Sequence, residues 1–275
     1  MKRLLQQIFV NNLSWKILSP FIWIANRLIA SRKNYSDSPK NKILKDKADA
    51  VLKSNHVYNG PFKGMIYQPG TNTNASSYYA KLLGSYEKEI HGFIEEVILK
   101  KYDCVVNIGC DDGYYAVGMA LQTGLPVIAY DINKNAISNT KKLAVTNNVS
   151  SLLNYGEKFT AEEIAGKYAG KRILYIADCE GDEENIFNKM NAPLLSASDI
   201  IVEMHLHIHP QIENHLRDLF SATHTITVVD SVPDVTKANT YNYPQLAGLD
   251  FETKYFITEE RDVFMQWMYL KAKNR

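Results

Sequence analysis

The sequence is poor in cysteine and in net charge, and each scarcity excludes a class of protein. Only three cysteines occur among 275 residues, and none forms a CxxC pair. A disulfide framework and a cysteine-based zinc site are therefore not expected, and a reducing cytoplasm fits best. The net charge of +1 gives no electrostatic reason to expect nucleic acid as a partner. The chain contains no visible repeat or low-complexity tract.

Long apolar runs are also missing, although the N-terminus approaches one. The stretch QQIFVNNLSWKILSPFIWIANRLIA is rich in Trp, Phe and Ile, but polar residues interrupt it before it reaches the length of a membrane span. Ser19 followed by Pro20 fits the start of a helix, so two short helices are predicted. These helices either pack on the main domain or lie as an amphipathic element on the inner membrane surface. The expected location is cytoplasmic, with membrane association left open.

Composition and periodicity predict how the chain is organised. Residues 1–55 read as a helical extension with a polar, lysine-rich linker, and residues 56–275 as the main domain. Within that domain, residues 56–102 form an N-terminal cover rich in Gly, Pro and Asn. Residues 103–230 carry the strongest strand and helix signals, and residues 231–275 read as a long loop followed by a terminal strand.

Strands and helices alternate from residue 103 onward. Short apolar strands of the type CVVNIG, PVIAYD, SLLNYG, RILYIAD and DIIVEMH are each followed by a helical segment. The last two strands, HTITVVD and VFMQWMYLKA, have no proper helix between them. This alternation predicts a parallel sheet with helices on both faces. The expected fold is α/β: a Rossmann-like, seven-stranded, mostly parallel sheet with an antiparallel C-terminal edge strand and an N-terminal helical extension.

The loop after the first of these strands, in VVNIGCDDGYYAVGMA, is the first candidate site. In open α/β sheets, ligands bind beyond the carboxyl ends of the strands. Gly109 and Gly113 allow close backbone approach there, and the helix that follows offers free N–H groups to an anion. The spacing is not GxGxxG, and Asp111 and Asp112 would repel a pyrophosphate. S-adenosylmethionine fits better, because it carries a sulfonium, an ammonium and a carboxylate but no phosphate.

A second acidic residue, Asp131, ends the next strand 22 positions after Gly109. A carboxylate there can accept hydrogen bonds from both ribose hydroxyls of an adenosine. The same spacing suits NAD, and Asp131 could instead cap the following helix. The predicted cofactor contacts come from these strand ends and the residues that flank them: Asn107, Gly109, Cys110, Asp111, Gly113, Tyr114, Asp131, Ile132 and Asp178.

Four segments together show a resemblance to a known family. VVNIGCDDGYYAVGMA, VIAYDIN, ADCEGDE and DIIVEMH resemble the successive motifs of class I S-adenosylmethionine-dependent methyltransferases, most closely the FkbM-like branch. Members typically show a glycine-rich loop, an acid after the second strand, D-x-E-G-x-E after the fourth and a glutamate near the end of the fifth. Asp178, Glu180, Gly181 and Glu183 match the fourth-strand pattern, and Glu203 matches the fifth.

A further segment, LLGSYEKEI with Tyr86 and Glu87, resembles the stretch that often precedes the first motif in this family. The resemblance covers roughly Leu82–Phe220 and says little about the methyl acceptor. It implies methyl transfer to a hydroxyl oxygen of a glycan, natural product or lipid-linked sugar, and therefore a small-molecule or glycan partner.

A dense group of acids and imidazoles follows the fourth and fifth strands. Asp178, Glu203 and His205 are predicted to converge near the transferring methyl, with Glu87, Glu180 and His207 as acceptor-binding candidates. Three interpretations remain open. His205 or a carboxylate is a general base; or Asp178, Glu203 and His205 hold a divalent cation such as Mg²⁺; or these side chains only cap helices and satisfy loop backbone.

The sequence therefore predicts an S-adenosylmethionine-dependent methyltransferase, with oxygen as the expected acceptor atom. Catalysis would come mainly from positioning, which contributes roughly 7–11 kcal/mol in favourable cases. One alternative is a catalytically inactive protein of the same fold that binds the cofactor, and a weaker one is an NAD-dependent oxidoreductase. The oligomeric state is not predicted by any feature of the sequence.

Overall fold

A computed structural model of the chain describes residues 39–68, 77–261 and 263–273. The contacts divide the chain between Asp49 and Ala50. The two predicted N-terminal helices, and the membrane contact proposed for them, lie outside the described residues. Within the described ranges, no helix is both long and apolar enough to cross a membrane. Helix α1, Pro39–Val51, forms in the lysine-rich segment where a solvated helix is predicted.

A seven-stranded sheet organises the residues from Ala50 onward. Its strands in chain order are β1 Cys104–Ile108, β2 Val127–Tyr130, β3 Leu153–Gly156, β4 Ile173–Ala177, β5 Asp199–Met204, β6 His224–Asp230 and β7 Gln266–Ala272. Their spatial order is β3-β2-β1-β4-β5-β7-β6. β1 to β5 pair in parallel, while β7 pairs antiparallel with both β5 and β6. The predicted Rossmann-like fold class is confirmed.

Helices connect the strands and cover the sheet. They are α2 Tyr78–Leu83, α3 His91–Ile98, α4 Tyr114–Thr123, α5 Lys134–Thr146, α6 Ala161–Glu163 with a π-helical turn Ile164–Tyr168, α7 Glu183–Ile186, α8 Ile212–Phe220, α9 Asp234–Thr240 and α10 Phe251–Thr258. All side chains of β1, β4 and β5 are buried. Continuous burial requires cover on both faces, which explains why these strands are apolar throughout rather than alternating.

The C-terminal part differs from the sequence prediction in two ways. The segment between β6 and β7 is not a plain loop, because it contains α9 and α10. The antiparallel strand β7 also lies one place inside the edge, between β5 and β6, so β6 is the edge strand. The parallel crossover from β5 through α8 to β6 skips one position, and the returning chain fills that position in the opposite direction. Short polar helices such as DVTKANT give too weak a periodicity to be recognised.

The start of β5 is fixed to its neighbours by a buried carboxylate. Asp199 accepts hydrogen bonds from Lys100 Nζ at 2.7 Å, from the Tyr102 hydroxyl at 2.6 Å and from the backbone N–H of Ala272 at 2.8 Å. Burial alone would raise the pKa of Asp199, but the hydrogen bonds from Lys100 and Tyr102 outweigh it and hold the pKa below its ordinary value of 3.8. This cluster fixes the register of β5 against β7.

We expect Asp199→Asn to lower the free energy of unfolding at pH 7 by about 1.5–3 kcal/mol, the range for hydrogen bonds to charged groups. A carboxyl with a depressed pKa stabilises the folded state above its unfolded pKa and loses that contribution as pH falls through the folded pKa. The difference between wild type and variant should therefore shrink below about pH 4. Urea unfolding at several pH values measures this, and a difference that stays constant down to pH 3 would contradict it.

Candidate functional site

The loop from Gly109 to Gly113 is held by backbone contacts to both neighbouring strands. The N–H groups of Gly109 and Cys110 donate to the carbonyl of Tyr130, at 2.9 and 3.0 Å. Gly109 has a φ of 73°, and a Cβ atom on it would lie 1.6 Å from the carbonyl oxygen of Asp178. Only glycine fits so close a crossing. The loop is thus clamped at the point where β2, β1 and β4 end side by side.

The two acids in this loop have different surroundings. Asp112 is buried and accepts hydrogen bonds from the Tyr67 hydroxyl, from Lys81 Nζ at 2.9 Å and from the backbone N–H of Tyr114 at 3.1 Å. Its role is to hold the first turn of α4 and to neutralise Lys81. Asp111 has a positive φ of 44°, and its side chain is 68% exposed. Asp111 is therefore the loop acid that is open to a ligand.

Asp131 stands beside this loop with its carboxylate fixed in place. Its Oδ1 accepts from the N–H of Asn133 at 2.7 Å, and its Oδ2 accepts from the N–H of Asp111 at 3.0 Å. Each carboxylate oxygen has two acceptor sites, so both can still accept a hydroxyl. The N-cap of α5 is Asn133, whose side chain accepts from Asn135 N. The alternative of Asp131 as the helix cap is therefore not what the structure shows.

A cleft of about 710 Å³ opens above the carboxyl ends of β1, β2, β4 and β5. Most of the predicted site residues line it: Asn107, Gly109, Cys110, Asp111, Tyr114, Asp131, Ile132, Asp178, Glu180, Glu203, His205 and His207. Gly113 and Glu87 do not. Gly113 instead lets α4 pack on α5, because a Cβ there would lie 2.8 Å from the Thr140 side chain. The Oδ1 atom of Asn107 is buried, and no described residue donates a hydrogen bond to it.

His205 follows β5, on the opposite side of the cleft from the end of β2, and three carboxylates surround it. Its Nδ1 is 2.6 Å from Glu183 Oε1, and its Nε2 is 3.3 Å from Glu180 Oε2 and 3.5 Å from Asp178 Oδ1. Burial lowers the pKa of His205, but Glu180, Glu183 and Asp178 outweigh burial and raise it to about 10. The raised pKa favours the cationic imidazole at neutral pH and disfavours His205 as the general base.

Asp178 and Glu203, the two predicted catalytic acids, end β4 and β5 next to each other. Burial, followed by the charge of Glu87, raises the pKa of Asp178 to about 7. Burial and the charge of Asp178 raise the pKa of Glu203 well above its ordinary range. Glu203 accepts a hydrogen bond from Nη1 of Arg261, whereas Oδ1 of Asp178 has no hydrogen-bond partner among the residues that the structure describes. Of the two carboxylates, Asp178 is therefore the one with an oxygen still able to accept a hydrogen bond.

Arg261 is the most important site residue that the sequence prediction missed. Its Nη2 donates to Glu87 Oε1 at 2.5 Å while its Nη1 donates to Glu203. The other oxygen of Glu87 accepts from the Tyr115 hydroxyl, so both carboxylate oxygens of Glu87 are engaged. Glu87 is buried and does not line the cleft. The structure therefore places Glu87 in a supporting network rather than at an acceptor, unlike the prediction.

Three donor atoms in the site meet the distance condition for a metal. One ligand atom each from Asp178, Glu203 and His205 lies within 4.8 Å of the others. The unpartnered Oδ1 of Asp178 favours a cation there. Two features oppose it: Arg261 donates a hydrogen bond to Glu203, and the raised pKa of His205 favours a protonated ring that has no free lone pair. A metal ion at this place would have to displace the proton of His205.

The surroundings of the three cysteines disfavour chemical reactivity. Cys104 and Cys110 are buried and Cys179 is half-buried. Burial raises the pKa of all three thiols, that of Cys110 to about 12. The thiolate is the reactive form.

At pH 8 we expect a disulfide reagent to label the folded protein at least about a hundred-fold more slowly than the protein in denaturant. One thiol that reacts equally fast in both states would contradict this.

Comparisons with known proteins yield likenesses of fold. No protein-family model and no curated protein sequence matches the chain. Among solved structures, the O-methyltransferase TomG from Streptomyces achromogenes in complex with SAM is 10% identical, covers 72% of this chain and 88% of its own, and has a TM-score of 0.46. A putative O-methyltransferase from Klebsiella pneumoniae is 14% identical, with coverages of 84% and 96% and a TM-score of 0.41.

A third similar structure is precorrin-6y C5,15-methyltransferase from Geobacter metallireducens. It is 11% identical, covers 66% of this chain and 88% of its own, and has a TM-score of 0.43. Identities and scores in this range are too low to indicate a shared activity, ligand or subfamily. The functional conclusion therefore rests on the geometry of the cleft.

Proposed function

We propose that this protein binds S-adenosylmethionine and transfers its methyl group to a hydroxyl oxygen. The observation that carries the proposal is the fixed carboxylate of Asp131 beside the Gly109–Gly113 loop. Two backbone N–H groups hold both of its oxygens, and acceptor capacity remains for a pair of ribose hydroxyls. The acidic loop next to it favours a cofactor with a cationic end and disfavours a pyrophosphate.

The cleft gives each part of such a cofactor a distinct environment. The adenosine would lie over β2 and β3, where Asp131, Ile132 and Phe159 line the cleft. The sulfonium would then face the ends of β1 and β4. There Gly109 crosses close to the Asp178 carbonyl, so no side chain from this position extends into the cleft. When bound, S-adenosylmethionine supplies an electrophilic methyl group, and the sulfur keeps the electrons of the broken C–S bond.

At the acceptor end, Asp178 is the residue best placed to take the hydroxyl proton. Its carboxylate lines the cleft and its Oδ1 has no hydrogen-bond partner. His205 lies 3.5 Å from that oxygen and, as a cation, orients and partly neutralises the acidic cluster. Arg261 does the same for Glu203. The proposed division of roles is therefore Asp178 as base, with His205 and Glu203 as positioning residues and Glu180 and His207 near the acceptor.

The proposed acceptor is a glycan or natural-product hydroxyl, and the surroundings of the cleft support an apolar group next to that hydroxyl. A smaller cavity of about 260 Å³ adjoins the cleft and shares Arg261 and Val263 with it. Val235, Val263 and Phe264 line this cavity and are each more than half exposed. Exposed apolar side chains that cluster at a cleft are typical of ligand contacts. A lipid-linked sugar carries both a hydroxyl acceptor and an apolar group.

Calorimetric titration with S-adenosylhomocysteine, the product form of the cofactor, tests the proposal. We expect Asp131→Ala to weaken binding by roughly 10- to 100-fold, since hydrogen bonds to a charged group contribute about 1.5–3 kcal/mol. Asp230→Ala is the matched control: Asp230 also ends a strand, but it does not line the cleft. Binding of NAD without S-adenosylhomocysteine would overturn the proposal and favour an oxidoreductase.

A divalent cation held by Asp178, Glu203 and His205 is the alternative to the proposed division of roles, because it would require His205 in its neutral form. If Mg²⁺ binds there, it should raise the melting temperature of the protein after treatment with a chelator, and Asp178→Asn should abolish that rise. Asp182→Asn is the control, because Asp182 lines the cleft but lies outside the three donors. An equal rise in the Asp178→Asn variant would show that Mg²⁺ binds elsewhere.

A further inference from the structure

Groups of the chain itself already engage two backbone N–H groups at the start of α4. The N–H of Gly113 donates to the carbonyl of Cys110 at 2.8 Å, and the N–H of Tyr114 donates to Oδ1 of Asp112 at 3.1 Å. The carboxylate of Asp112 thus occupies the positive end of this helix. An amino-acid carboxylate on the cofactor would therefore gain from a positive side chain beside the loop.

Among the described residues, three Lys and Arg side chains line the cleft: Lys81, Lys158 and Arg261. Arg261 is engaged by Glu203 and Glu87. Lys158 is exposed and follows β3, on the side assigned above to the adenosine. Lys81 lies beside the Gly109–Gly113 loop, where the amino-acid end of the cofactor would lie.

Lys81 is held in an unusual position for a lysine. Its side chain is only 4% exposed, and its Nζ is 2.9 Å from Asp112 Oδ2, 3.3 Å from Asp111 Oδ2 and 4.9 Å from the ring centre of Tyr86. An ammonium has three N–H donors. Asp112 and, at the longer distance, Asp111 accept from two of them. A buried lysine is costly unless it is paired. Asp112 supplies the pairing, and Asp111 is free to move to another partner.

We propose that Lys81 and Asp111 together recognise the amino-acid end of the cofactor. Lys81 binds its carboxylate, and Asp111 turns from Lys81 to bind its ammonium. The charges of Lys81 and Asp111, now paired at 3.3 Å, are opposite in sign to the two charges of the zwitterion that each would bind. The inference rests on the proposed function, because it assumes that S-adenosylmethionine occupies the cleft. It makes Lys81 a specificity-determining residue that the family resemblance does not include.

Two ligands that differ in this end separate the inference from the proposed function. S-adenosylhomocysteine carries the amino-acid group, whereas 5′-methylthioadenosine keeps the adenosine and sulfur and lacks it. Calorimetric titration of Lys81→Met should show a loss of affinity of about 10- to 100-fold for S-adenosylhomocysteine and less than about threefold for 5′-methylthioadenosine. The double variant Lys81→Met/Asp112→Asn leaves no unpaired buried carboxylate and should show the same selective loss.

A merely structural role of Lys81 predicts a different result, namely equal losses for both ligands in both variants, and that outcome would overturn the inference. If the variants do not fold, decarboxylated S-adenosylmethionine tests the same point on the wild-type protein. It should bind at least about tenfold more weakly than S-adenosylmethionine, and equal affinity would overturn the inference. If the wild-type protein binds neither S-adenosylhomocysteine nor 5′-methylthioadenosine, the proposed function itself fails.

Discussion

Replacing Arg261 by methionine is expected to lower the free energy of unfolding by about 3–5 kcal/mol, the range for a buried ion pair that loses one partner. Arg261 binds Glu203 with one nitrogen and Glu87 with the other. Both carboxylates are almost completely buried. Without the guanidinium, two like charges remain close together with little access to water. Urea unfolding followed by circular dichroism measures the change.

Arg217→Met is the matched control for this experiment. Arg217 also pairs with a glutamate, Glu213, at 2.8 Å, but its side chain is 43% exposed. Exposed pairs of this kind contribute less than about 1 kcal/mol. The double variant Arg261→Met/Glu87→Gln should recover part of the loss, because it removes one of the two unpaired charges. If Arg261→Met lowers the free energy of unfolding no more than Arg217→Met does, the contacts of Arg261 with Glu87 and Glu203 do not stabilise the site.

Gly109→Ala is expected to be the most disruptive change in the candidate cofactor site. The added Cβ would lie 1.6 Å from the carbonyl oxygen of Asp178, so the β1 and β4 loops cannot keep their positions. We expect a loss of at least about 3 kcal/mol in the free energy of unfolding, which is typical of severe steric conflict. Binding of S-adenosylhomocysteine should fall below detection, since both loops line the cleft.

A second glycine separates this clash from the cost of the backbone conformation. Gly124 has a φ of 66°, close to the 73° of Gly109, but a Cβ there would meet no atom within 4 Å. Gly124→Ala therefore carries only the cost of a left-handed conformation, about 1–2 kcal/mol. It should leave binding of S-adenosylhomocysteine intact. Similar losses in the two variants would show that the Gly109 crossing is not as tight as described.

Much of the fold follows from local patterns in the sequence. The apolar runs that became β1, β4 and β5 have no polar alternation because helices cover both faces of the sheet. Gly124 ends α4 in a left-handed conformation as its position predicts. The position of β7 between β5 and β6 could not be predicted, because the order of strands depends on long-range pairing that a single sequence does not show.

The candidate site shows the same contrast. Asp131 and the loop acids could be found because they follow strands that end at the same edge of the sheet. Arg261 lies 58 residues from Glu203 and 174 residues from Glu87, and no motif marks it. Its charge was nevertheless a usable signal, because buried carboxylates at a strand end require a positive partner from somewhere in the chain.

The charge state of His205 is a second point that spacing alone could not give. The sequence indicates His205 because it follows β5. The pKa of its imidazole, however, depends on three carboxylates from the segment after β4. Glu183 is the least obvious of these, because it lies in the helix α7 and is completely buried. A motif indicates which residue types come together, whereas the pKa of each group depends on their burial and distances.

The central claim is that the cleft holds an adenosine cofactor in one orientation. A crystal structure of the protein with S-adenosylhomocysteine tests this most directly. We expect both ribose hydroxyls within hydrogen-bonding distance of the Asp131 carboxylate, and the sulfur at the ends of β1 and β4, facing Asp178. Density for the ligand outside this cleft, or a ribose that makes no contact with Asp131, would contradict it.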